Sequence, residues 1–276
     1  MRHMDVEDAI RAHLATHPAA AEPAWRVAWR PDVGRHLVAA RDLVANEAVF
    51  SEAPLIVAAA KSEEPAASLR GVMAAVAVQM LCEPRSSPVH LLQEADFSAD
   101  GDGGLAGSLR TWALGALHAL RSRPPLVRPD GSEVALSEEV VRWAISVASV
   151  NVHGRPEPER GVLGLLSSMM EHSCAPTACA EVASAAEGSV ITLRTRHAVR
   201  AGERLSISYV ARDAPAVERR RQLRLQHGFV CACERCAAEL AGSGEEGAES
   251  WRHAWENRTW CGTVDPYTGE SIGYGT

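Results

Sequence analysis

The chain has 276 residues, of which 46% are hydrophobic and 23% charged, and a formal charge of −7 at pH 7. This is a globular composition, with room for one large domain or two modest ones. The acidic balance excludes a general nucleic-acid binder, which needs a clustered excess of Lys and Arg, but tolerates a basic partner such as a lysine-bearing tail.

Residues 1–24 form an N-terminal segment whose first eight residues, Met1 to Asp8, mix charges where a secretory signal needs a continuous apolar core. The longest largely apolar stretch, Val72 to Cys82, is too short to span a bilayer. An intracellular protein is therefore expected, in the cytoplasm, the nucleus or both, with no membrane partner. Seven Cys, an odd number, argue against a disulfide framework in such a reducing compartment and direct attention to metal. With only three Phe and three Tyr, the core must rest on Leu, Val, Ile and Ala, with seven Trp as larger fillers.

Residues 25–57 read as strands. Trp25 to Trp29 alternates, and Leu37 to Ala40 and Ala48 to Phe50 flank a turn at Asn46-Glu47. A helical insert, 58–144, follows. Residues 66–82, 105–121 and 137–148 have helical spacing, the last with Ser137 as N-cap ahead of Glu138 and Glu139. The connectors Glu83 to Pro88, Ser98 to Gly104 and Arg123 to Gly131 are rich in Pro, Gly and Asp.

Strand character returns in 145–212, at Val190 to Leu193 and again through Ala198 to Tyr209. This second unit echoes the first: an apolar pair, then Asn46-Glu47 or Gly202-Glu203, then an alternating strand. Asn tolerates the left-handed conformation that Gly adopts freely, so the two turns can share a geometry.

Residues 213–240 open with a helix, Asp213 to His227, with Asp213 at the capping position and Gly228 just past its end. The run Arg219 to Arg221 is most simply a solvated helix face. Residues 241–276 begin with a Gly-, Ser- and Glu-rich linker and continue into a short tail, expected to be a truncated end, with Trp251, Trp255 and Trp260.

Between helix and linker stands Cys231-Ala-Cys233-Glu-Arg-Cys236. Three thiolates so close repel unless a cation binds them, and the charged Glu234 and Arg235 between them argue against an apolar pocket. Zinc prefers four such ligands in a tetrahedron. Cys174, Cys179, Cys261 and Cys82 are all candidates for the fourth, and spacing does not choose among them.

Three segments in order resemble the signature series of SET-domain lysine methyltransferases: Met170-Glu-His-Ser-Cys-Ala-Pro-Thr177, Gly202-Glu-Arg-Leu-Ser-Ile-Ser-Tyr209 and Gly228-Phe-Val-Cys-Ala-Cys-Glu-Arg-Cys236. Val33 to Leu43, Glu47, Glu52-Ala-Pro-Leu55 and Asn151-Val-His153 are similar to further family segments. The chain looks like the SMYD branch without its MYND zinc module, as in arthropod-type relatives, because residues 56–150 contain Cys82 alone.

The resemblance implies an α+β SET fold of small sheets around a threaded (pseudoknot) segment at His172 to Pro176, with a helical insert and a zinc-binding post-SET segment. It implies transfer of a methyl group from S-adenosylmethionine to a lysine of a protein substrate, histone or non-histone. Cys174 would join Cys231, Cys233 and Cys236 on a structural zinc. Tyr209 would orient the acceptor amine and Phe229 would line its channel, while Arg35, His36, Asn151, Glu171 and His172 match cofactor-contacting positions. Cys179 would then be a small buried residue, with Cys82 and Cys261 unassigned.

Four residues depart from the family pattern. Glu171 replaces an Asn, His36 the second Gly of Gly-Arg-Gly, His153 a Phe and Thr177 an Asn. Glu171 could accept from the cofactor's ammonium but would repel its carboxylate, and the His36 side chain could crowd the cofactor. A scaffold that keeps its zinc and binds partners without turnover is therefore the alternative. Zinc-dependent hydrolysis is excluded on chemical grounds, since four thiolates leave no coordination position for water.

Overall fold

The computed structural model describes residues 23–31, 33–59, 65–92, 105–155, 160–185 and 188–242, with Ile10 and the short segments 263–264 and 271–272. The signal-peptide reading, the connector Ser98 to Gly104, Trp251, Trp255, Trp260 and Cys261 lie outside the described residues, as does nearly all of the linker.

β1 (Trp25–Arg30) and β2 (Gly34–Ala39) form an antiparallel hairpin in which Ala28 faces His36. β2 also meets residues 203–205 on its other edge: Ala39 N–H donates to the Glu203 carbonyl and Leu205 N–H to the Leu37 carbonyl, both at 2.9 Å. That segment runs directly into β10 (Ser206–Ile207), which pairs in parallel with β7 (Glu171–His172). The succession β2, 203–205, β10 and β7 carries the Glu171-to-Cys174 segment alongside β2.

Two three-stranded sheets flank this junction. β3 (Ala48–Glu52) and β8 (Ala178–Ala185) sandwich β9 (Gly188–Thr195), while β4 (Ile56–Ala59) and β5 (His153–Arg155) pair on either side of β6 (Arg160–Leu163). The internal echo has a structural counterpart. Leu43 and Val199 form a mutual antiparallel bridge, with N–H···O distances of 2.8 and 3.0 Å. Beside it, Val44 N–H donates to Glu47 at 2.9 Å and Arg200 N–H to Glu203 at 3.1 Å. Asn46 (φ 63°) and Gly202 (φ 82°) both occupy the left-handed region that lets each turn close on its Glu.

The insert consists of α1 (Pro65–Cys82), α2 (Leu105–Arg121) and α3 (Glu138–Asn151). Ser137 caps α3 by accepting from Val140 N–H, and Val141, Ala144, Ile145 and Ala148 recur at helical spacing on its buried face. α3 packs on α1 and α2, and α1 covers β4 and β6. Valine, leucine and alanine supply most of this core, as the composition required. Farther on, α4 (Ala216–His227) and α5 (Glu234–Gly242) complete the C-terminal unit, and β11 (Thr263–Val264) pairs with β12 (Ser271–Ile272).

Asp213 is not the cap of α4. The helix begins at Ala216 behind an extended Pro215 (φ −63°, ψ 158°), and no side chain caps it. Proline fits this boundary because it lacks the N–H that a helix interior needs. Gly228, at φ 73°, ends α4 in the left-handed conformation expected of it.

A buried carboxylate positions the chain that enters β7. Glu52, 1% exposed, accepts N–H bonds from Leu165 and Leu166 at 2.9 Å and from Ser167 at 2.8 Å, and burial pushes its carboxyl up from the usual range. These donors lead into the 3₁₀ turn Ser167–Met169. Gly164 is required beside them, because a side chain there would strike the Glu52 carboxylate and the Ser167 hydroxyl. Glu52→Ala should cost about 3 kcal/mol or more, since three buried N–H groups lose their acceptor; urea denaturation of both proteins measures the difference.

Candidate metal centre and adjoining aromatic site

Cys174 follows β7, Cys231 and Cys233 lie in the extended segment after Gly228, and Cys236 stands in the first turn of α5. Folding brings their four sulfur atoms within 4.8 Å of one another, with Cys174 3.4 Å from Cys236 and 3.8 Å from Cys231. A tetrahedral zinc with bonds of about 2.3 Å separates its sulfurs by about 3.8 Å, so the four thiols fit the ion. The cluster could hold zinc, and Cys174, left open by spacing, is the fourth member. Cys179 on β8 and Cys82 on α1 are partly exposed and outside the cluster, so Cys179 is not the buried residue expected.

The thiols have unequal acidities. Burial pushes Cys174 and Cys231 upward. Burial also opposes ionisation of Cys233, but hydrogen bonding from the Cys236 N–H and the neighbouring thiols brings it down to about 7. Binding four thiolates to one divalent cation leaves net negative charge, and arginines surround it. Arg219, 0% exposed, donates to Cys236 Sγ at 3.5 Å, to Glu239 at 3.0 Å and to the Ala214 carbonyl. Arg235 donates to the Cys174 carbonyl at 2.6 Å and the Arg212 carbonyl at 2.8 Å, and pairs with Glu239 at 2.7 Å.

The arginine run is therefore not a solvated face. Arg219 is enclosed between α4 and α5, and Arg221 pairs with the buried Glu218 at 3.0 Å. A helix this rich in Arg hides one where the Glu239 carboxylate and the Cys236 sulfur offset its desolvation. Sequence pattern missed Arg219 because polarity alone places arginine outside.

His172 joins the thiols to Tyr209. The Tyr209 N–H donates to His172 Nδ1 at 3.2 Å, which leaves the ring proton on Nε2, 3.3 Å from Cys174 Sγ. Both ring nitrogens thus have partners within the chain. Around them stand three more rings: Tyr209 and Phe229 at 5.3 and 5.8 Å from His172, and His227 at 4.7 Å from Tyr209. The Tyr209 hydroxyl donates to the Met170 carbonyl, and burial, followed by the Glu171 charge, pushes its pKa well above the usual tyrosine range, so it remains a neutral phenol. His227 is the ring that the sequence did not single out; its place just before a helix-ending glycine and Phe229 was the available signal.

Of the remaining candidates, Glu171, His36 and Thr177 meet at the junction of β2, β7 and β10, whereas the recorded contacts of Arg35, Asn151 and His153 lie elsewhere. Glu171 accepts from Arg204 at 2.9 Å, and its other oxygen is buried, without a hydrogen bond, 3.7 Å from His36 Nδ1. Two of the four departures thus adjoin each other, and Arg204 offsets the added charge. Thr177 is bound into the same junction: its hydroxyl donates to the Arg204 carbonyl at 3.0 Å and accepts from Ser206 N–H at 2.9 Å. Arg35 donates to the Leu91 carbonyl, and Asn151, ending α3, donates to the Val147 carbonyl at 2.9 Å. His153 on β5 is held below the usual histidine range by burial.

Burial, then the Arg219 charge, brings His172 down to about 4; burial, then His172, does the same for His227. An unfolded histidine titrates near about 6.5, so between these values the unfolded chain binds more protons than the folded one. Stability is therefore present above about pH 6.5 and lost as pH falls toward about 4. Thermal melts should drop between about pH 7.5 and about pH 5, and His227→Phe should flatten the slope.

A SET domain model matches residues 34–210. Histone-lysine N-methyltransferase ASHR2 of Arabidopsis thaliana is 29% identical over 174 residues, covering 59% of this chain and 43% of that relative. Histone-lysine N-methyltransferase SMYD3 of Mus musculus is 39% identical over 72 residues, covering 26% and 16%. Histone-lysine N-methyltransferase SET5 of Eremothecium gossypii is 36% identical over 81 residues, covering 29% and 16%. The aligned region thus spans less than half of each of these curated relatives. Among solved structures, the SET domain of LSMT bound to lysine and AdoHcy matches with a TM-score of 0.59 at 15% identity, covering 84% of this chain and 58% of that one. Rubisco LSMT bound to AdoMet matches with a TM-score of 0.58 at 14% identity, covering 82% and 56%. These two likenesses concern the fold.

Proposed function

Since the chain belongs to the SET-domain family, we propose that it is an S-adenosylmethionine-dependent protein-lysine N-methyltransferase, acting on an exposed lysine of a histone or another protein. The observation that carries this reading is the ring cluster tied by His172 to the four thiols. S-adenosylmethionine, when bound, supplies an electrophilic methyl group. Residues of the chain have the remaining tasks: to hold a neutral amine, exclude water and fix its approach. Free lysine titrates near about 10.4, and apolar surroundings such as the rings of Tyr209 and Phe229 disfavour its charged form. The neutral Tyr209 hydroxyl, already donating to Met170, keeps a lone pair for an amine N–H.

Beside β7, the buried oxygen of Glu171 that makes no hydrogen bond suits the ammonium of the cofactor's methionine end, and we assign Arg35, His36, Asn151 and His172 to the same cofactor site. Cys174, Cys231, Cys233 and Cys236 would hold zinc, which cross-links the post-SET segment to β7. Membership of the SMYD branch without a MYND finger accords with the match to mouse SMYD3 and with Cys82 as the single cysteine of residues 56–150. We assign 25–57 and 145–212 to the SET domain, 58–144 to the insert and 213–240 to the post-SET segment. A nuclear or cytoplasmic site of action accords with the histone-directed relatives; no described helix is long and apolar enough to cross a membrane.

One observation favours the scaffold reading. His36, 3% exposed, places a ring beside Glu171 where the family pattern has glycine. Calorimetric titration with S-adenosylmethionine separates the two: the enzyme reading expects a Kd below about 100 μM, whereas no binding at about 1 mM would sink it.

A further inference from the structure

α4 ends at His227, and the left-handed Gly228 (φ 73°) then turns the chain so that His227 and Phe229 stand with ring centroids 6.4 Å apart. The His227 ring lies against Tyr209, with centroids 4.7 Å apart and planes inclined by 40°. Its Nδ1 is buried and makes no hydrogen bond among the described residues. Buried polar atoms are nearly always paired, so an exception within a ring cluster calls for a partner from outside the chain.

The neighbouring polar atoms are already engaged: the Tyr209 hydroxyl donates to Met170, and both His172 nitrogens have partners. In the tautomer with its proton on Nε2, His227 presents an Nδ1 lone pair from a ring packed against that of Tyr209. Two lone pairs among aromatic faces suit a primary amine on an alkyl stem, whose N–H groups supply donors and whose methylenes cover the rings. A carboxylate or phosphate would set acceptor against acceptor. Burial keeps the imidazole neutral at neutral pH, so it does not repel the amine.

We propose that His227 is a further substrate-contacting residue, its Nδ1 accepting a hydrogen bond from the acceptor lysine's amine beside Tyr209. This rests on the methyltransferase reading above, which places the acceptor at Tyr209. The role belongs to the substrate and not to the cofactor or the metal, which separates it from a merely structural one.

The test compares the full chain with His227→Phe, which keeps a ring without nitrogen, and His227→Asn, which keeps a polar group near the Nδ1 position. Methylation of purified core histones, S-adenosylmethionine affinity, zinc content and melting temperature are measured for each. His227→Phe should lower kcat/KM for histone by about tenfold to about a hundredfold, with cofactor Kd and zinc content unchanged, and His227→Asn should recover most of the loss. Unchanged kcat/KM in His227→Phe, or an equal fall in both variants, overturns the proposal. A second measurement needs no turnover. In protein saturated with S-adenosylhomocysteine, the ¹⁵N resonance of His227 Nδ1 should move when L-lysine is added; a static resonance overturns it. Failure of the wild-type chain to bind any cofactor would defeat the methyltransferase reading and this inference together, whereas cofactor binding with an indifferent His227 defeats the inference alone.

Discussion

Cys174→Ser should reduce bound zinc from about one ion per chain to near none and loosen residues 228–236. Cys174 is the member of the cluster that stands outside the C-terminal segment, 57 residues before Cys231 and 62 before Cys236. Its loss leaves three thiols on one short stretch and severs the cross-link to β7. Structural zinc in small sites contributes on the order of 10 kcal/mol of apparent folding free energy, and serine at this position supplies a far poorer ligand. The change also puts a serine oxygen in place of the sulfur facing His172 Nε2 and takes one sulfur partner from Arg219. Elemental analysis reads the metal directly, and amide hydrogen exchange across 228–236 reads the local opening. Full zinc retention with unchanged exchange would refute Cys174 as a ligand. Because the ring cluster adjoins the same residues, the melting temperature should fall as well.

The second large effect is expected at Tyr209. Tyr209→Phe should lower methylation of core histones by about a hundredfold while leaving cofactor affinity within about twofold, because positioning of the acceptor amine is lost and cofactor contact is not. The hydroxyl acts here as an oriented neutral phenol. It donates to the Met170 carbonyl, so its lone pairs have a fixed direction, and its upward-shifted pKa rules out a phenolate base near neutral pH. The backbone N–H of the same residue still holds His172 in the variant, so the zinc site should survive. An unchanged methylation rate would remove Tyr209 from the acceptor site, and lost zinc would show that the hydroxyl supports the fold instead.

The two departures at His36 and Glu171 acquire a physical context from their neighbours. In sequence they stand 135 positions apart and look like separate losses. The register of β2 against 203–205, and of β10 against β7, sets His36, Arg204 and Glu171 at one junction. A lone added carboxylate would be costly there, and the Arg204 guanidinium reduces that cost. Family pattern shows such substitutions only as differences from a consensus; pairing shows which of them share an environment.

Local signals were legible because their causes are local. Ser137 caps α3 and Gly228 closes α4, since capping depends on a residue and its next few neighbours. Asn46 and Gly202 adopt left-handed turns for the same kind of reason. The spacing of Cys231, Cys233 and Cys236 marked a candidate metal site because thiolate repulsion over six residues needs no knowledge of the fold. Where the local cause was misjudged, at Asp213, a proline two residues later set the helix boundary.

Tertiary structure alone decided the rest. Four cysteines competed for one place in the cluster, and among the described residues the approach of β7 to α5 selects Cys174. Arg219 reads as a surface residue until α4 and α5 enclose it with sulfur and a carboxylate. His227 carries no motif; its Nδ1 becomes informative once burial and the Tyr209 ring surround it. The sequence by itself therefore determined the helices, the caps at Ser137 and Gly228, the paired turns and three of the four thiols of the candidate metal centre. The fourth thiol, the arginine beside the cluster and the ring cluster arose from contacts between segments distant along the chain, which propensity and spacing do not encode because loop closure and packing choose the partners.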